Sequence, residues 1–135
     1  MTTVMGLPDP AKALEYFLGF MEFTTGPIEL DHWISDRADI NIIDVREAED
    51  YARGHIPGAT NLPREKWNTF AGLSTNKVNV VYCYTQTCHL APEACVRFAS
   101  HGYPVKEMKG GLAAWRAAGL KIEGTPLSER HRKAA

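Results

Sequence analysis

The sequence contains no long apolar run and no excess of charge of either sign. Of its 135 residues, 44% are hydrophobic and 23% are charged, and the formal net charge is -1. No stretch approaches the roughly 20 apolar residues that a membrane-spanning helix needs. The near-neutral balance gives no field that would attract nucleic acid or anionic lipid. We therefore predict an ordinary globular protein with neither a membrane nor a nucleic acid as partner.

Cysteine is also scarce. There are 3 cysteines, an odd number, and two of them, Cys83 and Cys88, lie close together. This arrangement excludes the disulfide framework of a small secreted protein. Met1 to Pro10 contains no Lys or Arg, so a secretory signal is not indicated. We expect a protein of the reducing cytoplasm. The one basic cluster, 130–133, is expected to be a solvated tail.

The first apolar segment predicts a helix. Asp9 supplies an N-cap acceptor and Pro10 a ring suited to the first helical position. Apolar residues then recur at helical spacing and also cover much of the remaining circumference: Leu14, Tyr16, Phe17, Leu18, Phe20, Met21 and Phe23. We expect this helix to pack on the core, with a homodimer contact as the alternative.

The rest of the chain alternates between short β-branched runs and helical segments. Strands are predicted within 39–45, 60–62, 78–82 and 105–108, and helices over 47–52, over 89–100 and after Gly110-Gly111. Such alternation is typical of an α/β fold with a parallel sheet covered by helices on both faces.

One nucleophile lies at the carboxyl end of a predicted strand, where parallel sheets usually carry their active sites. Cys83 follows the strand Val78 to Tyr82, at the carboxyl end of the sheet and just before a helix. A short loop here can aim several backbone N–H groups at the sulfur, which would favour a thiolate or a persulfide anion. The alternative is an inert cysteine that fills the core. Cys95, in the middle of the helix, is predicted to be inert packing.

Four segments in order resemble the rhodanese family: Ile43-Asp-Val-Arg46, Gly54-His-Ile-Pro-Gly-Ala59, Val81-Tyr-Cys83 and Lys109-Gly-Gly-Leu-Ala-Ala-Trp115. The resemblance implies a five-stranded parallel sheet with the active loop after the fourth strand. It also implies that Cys83 forms the persulfide, within a substrate-binding loop formed by Tyr84, Thr85, Gln86, Thr87, Cys88 and His89. No metal or organic cofactor is implied.

The resemblance spans 27–124, which we predict to be a rhodanese-like domain. Residues 1–26 form a helical extension packed on it, and 125–135 a flexible tail. The implied function is transfer of sulfane sulfur from thiosulfate or a persulfide donor to a thiol, a protein or cyanide. Asp44 and Arg46, at a strand end, are expected to support the loop through a charge-assisted pair.

The loop departs from the common family pattern. It has Gln86 where many relatives have glycine, and it ends in Cys88 without any basic residue between Cys83 and His89. Thiosulfate is a dianion and would gain from a cationic side chain, which this loop lacks. The sequence therefore leaves two donors open, thiosulfate and a persulfide. Cys88 could resolve the persulfide, relay sulfur or be passive. His89 could donate a proton or be merely solvated.

Three other functions compete with sulfur transfer. A thiol redox switch or sulfur carrier could use the Cys83/Cys88 pair. A phosphatase or arsenate reductase would need an arginine where His89 stands. A zinc site would need a second ligand pair, which the sequence does not offer beside Cys83, Cys88 and His89.

Overall fold

The computed structural model describes residues 6–124. The predicted tail 125–135 and the basic cluster within it lie outside the described residues. The helices are α1 (Pro10–Phe23), α2 (Pro27–Ser35), α3 (Ala48–Arg53), α4 (Leu90–Ala99) and α5 (Gly111–Ala117), with a 3₁₀ helix at Arg64–Thr69. The strands are β1 (Thr24–Thr25), β2 (Ile40–Asp44), β3 (Thr60–Asn61), β4 (Val78–Tyr82) and β5 (Val105–Met108). None of the helices in this range is long and apolar enough to cross a bilayer.

The five strands form one parallel sheet in the order β1-β5-β4-β2-β3. This confirms the predicted α/β class. Strand β4 lies at the centre, and its last residue, Tyr82, pairs with Asp44 at the end of β2. The carboxyl ends of the two strands therefore open onto the same edge, and Cys83 leaves the sheet there.

Each face of the sheet carries its own core, because side chains alternate along a strand. On one face, Val80 and Tyr82 pack with residues of α2 and α5, including Trp115, which is fully buried. On the other face, Val81 and Cys83 pack against α4 and the 3₁₀ helix. Alternation alone thus directs the Cys83 side chain toward α4.

A buried ion pair joins strand β2 to the loops around it. The Arg46 guanidinium donates to both Asp44 carboxylate oxygens, with its Nη2 2.8 Å from Oδ2, and to the carbonyl of Gly54 at 2.6 Å. The Tyr82 hydroxyl donates to the same Oδ2 at 2.6 Å and accepts from the Ile56 amide at 3.0 Å. The charge-assisted pair expected from the sequence is therefore present, with its polar atoms satisfied by neighbouring groups.

Three elements escaped prediction from the sequence. Helix α2 begins at Pro27 after an extended Gly26 and buries Leu30, but its apolar residues form too short a pattern to stand out. Strand β1 has two residues, and its pairing with β5 defines it. The 3₁₀ helix is anchored by Trp67, whose Nε1 donates to the Leu62 carbonyl at 3.0 Å. All three depend on tertiary contacts.

Helix α1 forms over the predicted residues, and its Asp9 side chain caps the first turn. The expectation that it packs its apolar residues into the core is wrong. None of its residues is buried, and Leu14, Phe17 and Met21 are 62%, 59% and 72% exposed. The reason is that α2, α4 and α5 already cover the sheet, so α1 lies beside its edge near β1 and β5. A homodimer through this helix stays a prediction.

Removal of the Asp44 charge should destabilise the fold. In Asp44→Asn the buried Arg46 loses its counter-ion, which costs about 3–5 kcal/mol for pairs of this kind. Urea unfolding measures the loss. The control is Asp39→Asn, because Asp39 pairs with Lys77 at 3.3 Å while its side chain is 78% exposed. That variant should lose less than about 1 kcal/mol. Equal losses would contradict a structural role for the buried pair.

Candidate functional site

The site lies at the carboxyl end of β4, where Cys83 stands directly after the strand. Its side chain is 2% exposed and belongs to the core on the α4 face. The loop that follows, 84–89, leads into α4, and the Cys88 amide donates to the Thr85 carbonyl at 3.3 Å to close its turn. Sequence reasoning placed both the strand end and the loop correctly.

Helix α5 fixes the direction of the loop backbone. The amides of Leu112 and Ala113 donate to the carbonyls of Cys83 and Tyr84, at 2.9 and 3.0 Å. In a trans peptide the N–H points opposite to the carbonyl. The amides of Tyr84 and Thr85 therefore point away from α5 and into the loop. The Tyr84 amide lowers the pKa of both the Cys83 and the Cys88 thiol.

Glycine at position 111 permits this approach. A Cβ there would lie 2.5 Å from the Tyr84 carbonyl carbon, 2.6 Å from the Thr85 amide nitrogen and 2.8 Å from the Cys83 carbonyl oxygen. Its φ of +62° also falls in the left-handed region. The sequence predicted a helix after this glycine pair, but the contact of Gly111 with the loop depends on tertiary structure.

The start of α4 supplies one amide to each thiol. The Leu90 amide donates to the Cys88 sulfur at 3.4 Å, and the Ala91 amide lowers the pKa of the Cys83 thiol. The Cys83 sulfur lies 3.8 Å from the Cys88 carbonyl oxygen. The loop thus brings the two cysteines together beside the start of α4.

The pKa shifts do not favour a thiolate on Cys83, where the sequence analysis expected it. Burial raises the pKa of the Cys83 thiol to about 11, helped by the hydrogen bond to Cys88, and the amides of Ala91 and Tyr84 offset this only in part. For Cys88, burial opposes ionisation, but hydrogen bonds from Cys83, Leu90 and Tyr84 outweigh it and lower the pKa. The expectation that amides keep resting Cys83 anionic is corrected: the anion is favoured on Cys88.

Tyr84 connects the loop to the buried ion pair. Its hydroxyl donates to the Asp50 carboxylate at 2.6 Å and accepts from the Glu47 amide at 3.2 Å, at the start of α3. The Arg46 guanidinium lies 5.6 Å from the centre of its ring. Burial, and then the hydrogen bond to Asp50, raise the pKa of Tyr84 to about 12. The Tyr84 side chain is therefore held in place by hydrogen bonds and stays protonated beside the loop. The sequence did not indicate this role.

The outer side of the loop is polar and open to solvent. Thr85, Gln86, Thr87 and His89 are exposed, and the two threonine hydroxyls lie 3.4 Å apart. Among residues 6–124, no hydrogen bond to the His89 side chain assigns it a proton-transfer role.

The nearby cations are already paired with carboxylates. Arg46 is bound to Asp44, and Arg64 forms an ion pair with Glu93 in the first turn of α4. Lys109 lies 3.6 Å from Glu107. A dianionic donor would therefore have to compete with an existing carboxylate at each of these three positions.

Cys95 lies apart from the active loop. Its pKa is raised to about 12 by burial, and it borders an apolar groove of about 410 Å³ that also contains Phe23, Val96 and Ala99. It is half-buried, and its inertness stays a prediction. Across 6–124, no group of three His, Cys, Asp or Glu residues is arranged to hold a metal ion.

Comparison with known proteins identifies the family. The family model of the rhodanese-like domain matches residues 27–118. The chain belongs to the rhodanese family. A solved structure of a rhodanese-fold protein from Bacillus halodurans is 34% identical, with a TM-score of 0.80, and the match covers 87% of this chain and 88% of that one.

Two curated relatives share this rhodanese region. A sulfurtransferase of Allochromatium vinosum is 28% identical over 95 residues, which is 69% of this chain and 87% of the relative. An HTH-type transcriptional regulator of Mycobacterium tuberculosis is 37% identical over 94 residues, 68% of this chain. The match with the regulator covers 42% of its length. The sulfurtransferase is thus similar along most of its length, and the regulator along less than half.

Gly111→Ala should disturb the active loop. The new Cβ meets backbone rather than a flexible side chain, and overpacking of this kind costs about 1–3 kcal/mol beyond the strain of positive φ. Gly102→Ala is the matched control, since Gly102 has a φ of +89° with open space around its Cβ position. Urea unfolding and the rate of Cys83 alkylation measure the effect. If the two variants behave alike, the close contact between α5 and the loop is not important.

The pKa of Cys83 should lie above that of an ordinary cysteine, and the pKa of Cys88 below it. Iodoacetamide should modify Cys88 with a pH midpoint below the ordinary thiol value, and Cys83 with a midpoint near pH 11. In Cys88→Ser the Cys83 midpoint should fall, because burial remains but the hydrogen bond and charge of Cys88 are gone. Peptide mapping after alkylation at a series of pH values gives both midpoints. A lower midpoint for Cys83 than for Cys88 would contradict this assignment.

Proposed function

We propose that this rhodanese-family protein is a sulfurtransferase that carries sulfane sulfur as a persulfide on Cys83. The observation that carries the proposal is the position of Cys83: it ends the central strand beneath the amides of Tyr84 and Ala91. The name of the relative from Allochromatium vinosum supports the same activity.

The reaction begins with a proton transfer between the two thiols. Cys83 gives its proton to the neighbouring Cys88 thiolate and attacks the outer sulfur of the donor. The bond between that sulfur and the rest of the donor breaks, and the donor's remaining group leaves with the electron pair. The products are a Cys83 persulfide, a Cys88 thiol and, from a thiosulfonate, a sulfinate. An acceptor thiolate or cyanide then removes the outer sulfur and restores Cys83.

The persulfide suits this loop better than the bare thiolate does. An S–S bond carries the charged outer sulfur about 2 Å beyond Cys83 Sγ. That shift moves the charge away from the apolar core on the α4 face and toward the inward-facing loop amides. Fixed amide dipoles stabilise such a charge without further reorganisation. The raised pKa of resting Cys83 therefore does not oppose the intermediate.

The donor we propose is a monoanion, such as a thiosulfonate or a small-molecule persulfide. The pairing of Arg46, Arg64 and Lys109 with carboxylates favours it over the thiosulfate dianion. The acceptor is a small thiol, a protein thiol or cyanide, and the chemistry needs no metal or organic cofactor. A reducing compartment such as the cytoplasm would keep both thiols available between turnovers.

Loading of sulfur on Cys83 is the direct test. Wild-type protein is incubated with benzenethiosulfonate and the intact mass is measured in the absence of acceptor. We expect the wild type to carry one added sulfur atom immediately after mixing, and Cys83→Ser to carry none at any time. Loading by benzenethiosulfonate should be faster than by thiosulfate at equal concentration. Sulfur uptake by Cys83→Ser, or none by either protein, would contradict the proposal.

The proximity of Cys83 and Cys88 supports a second candidate, a redox switch that transfers no sulfur. The two functions differ in turnover. A switch would cycle between dithiol and disulfide with an oxidant and give no product from thiosulfonate and cyanide. Repeated formation of thiocyanate from those two reactants would exclude it as the main function.

A further inference from the structure

The loop holds a second reactive sulfur beside the proposed carrier. Cys88 is partly exposed, whereas Cys83 is 2% exposed, and the Cys83 sulfur lies 3.8 Å from the Cys88 carbonyl oxygen. The Cys88 sulfur also accepts from the first amide of α4 at 3.4 Å. The sequence left it open whether this thiol is passive.

We propose that Cys88 attacks the Cys83 persulfide at its inner sulfur, forming a Cys83–Cys88 disulfide and releasing the outer sulfur as sulfide. This inference rests on the proposed function, because it begins from the Cys83 persulfide. It adds an activity: release of sulfide from sulfane sulfur when no external acceptor takes it.

The position of Cys88 favours such an attack, because the Cys83 sulfur lies 3.8 Å from the Cys88 carbonyl oxygen. A disulfide needs the two sulfurs to approach to about 2 Å. The five-residue step along the loop from Cys83 to Cys88 is closed by the turn hydrogen bond between Cys88 and Thr85. A short movement of the Cys88 side chain, rather than an opening of the loop, would complete the bond.

The proton balance also supports the step. After loading, the Cys83 persulfide is anionic and Cys88 carries the proton. Return of that proton to the outer sulfur leaves a Cys88 thiolate, which the amides of Leu90 and Tyr84 favour. The Cys88 thiolate bonds to the inner sulfur, and the bond between inner and outer sulfur breaks. Hydrosulfide leaves with the electron pair, so the two cysteines are oxidised and the sulfane sulfur is reduced.

A dithiol reductant is needed to complete the cycle. A small or protein dithiol reduces the Cys83–Cys88 disulfide by thiol–disulfide exchange and is itself oxidised to a disulfide. The reductant is expected to attack the Cys88 sulfur first, because Cys88 is partly exposed whereas Cys83 is 2% exposed.

The test follows the fate of one loaded sulfur without any thiol present. Wild type, Cys88→Ser and Cys95→Ser are loaded with benzenethiosulfonate, freed of reagent and incubated, and sulfide is measured together with the intact mass. Wild type should release close to one sulfide per loaded sulfur and lose two hydrogens relative to the reduced protein. Cys88→Ser should keep the added sulfur and release at least about tenfold less sulfide.

Cys95→Ser is the matched control, because it removes a thiol that lies outside the loop. It should behave as the wild type. A stable persulfide on the wild type would overturn this inference while leaving the proposed function intact. Sulfur found on Cys88 by peptide mapping would also overturn it, since it would indicate relay at the outer sulfur. Failure of every protein to load would overturn both.

An independent measurement does not depend on sulfur loading. Reduced wild type is treated with a mild oxidant, diamide, and peptides are mapped after alkylation. We expect a disulfide between Cys83 and Cys88, and a circular dichroism spectrum that matches the reduced protein. If diamide leaves both thiols free, or pairs either with Cys95, the two sulfurs cannot form the bond that the inference requires.

Discussion

The geometry of the site depends on two hydrogen bonds between helix α5 and the backbone of the loop after β4. The amides of Leu112 and Ala113 engage the carbonyls of Cys83 and Tyr84, and the missing side chain of Gly111 lets the helix come close enough to do so. Since a peptide group is rigid, a carbonyl held from outside turns its N–H to the inside. The inward amides are thus a product of packing between two elements distant in the chain.

A second support acts from the opposite side. The buried pair of Asp44 and Arg46 ties the end of β2 to Tyr82, and the Arg46 guanidinium lies against the ring of Tyr84. Tyr84 is further held by Asp50. A loop supported on both sides can keep two sulfurs and a few amides in fixed positions, as stabilisation of a developing anion requires.

The loop of this chain departs from the common family pattern in having no basic residue and in ending with Cys88. Because the loop contains no cationic side chain, negative charge on sulfur is stabilised there by backbone amides and by the second thiol. Hydrogen bonds from Cys83, Leu90 and Tyr84 favour the anion on Cys88, while burial disfavours it on Cys83. The pair thus holds a proton that can move between its members, and the proposed loading and release steps both use that movement.

The sequence by itself determined the α/β class, the long strands and helices, and the position of Cys83 at the end of β4, because these follow from local periodicity and from chain order. It did not determine β1, α2 or the exposure of α1, which depend on which surfaces other elements have already covered. Nor could it determine which thiol is ionised. That depends on burial and on the directions of individual amides, and both arise only when α4 and α5 close around the loop.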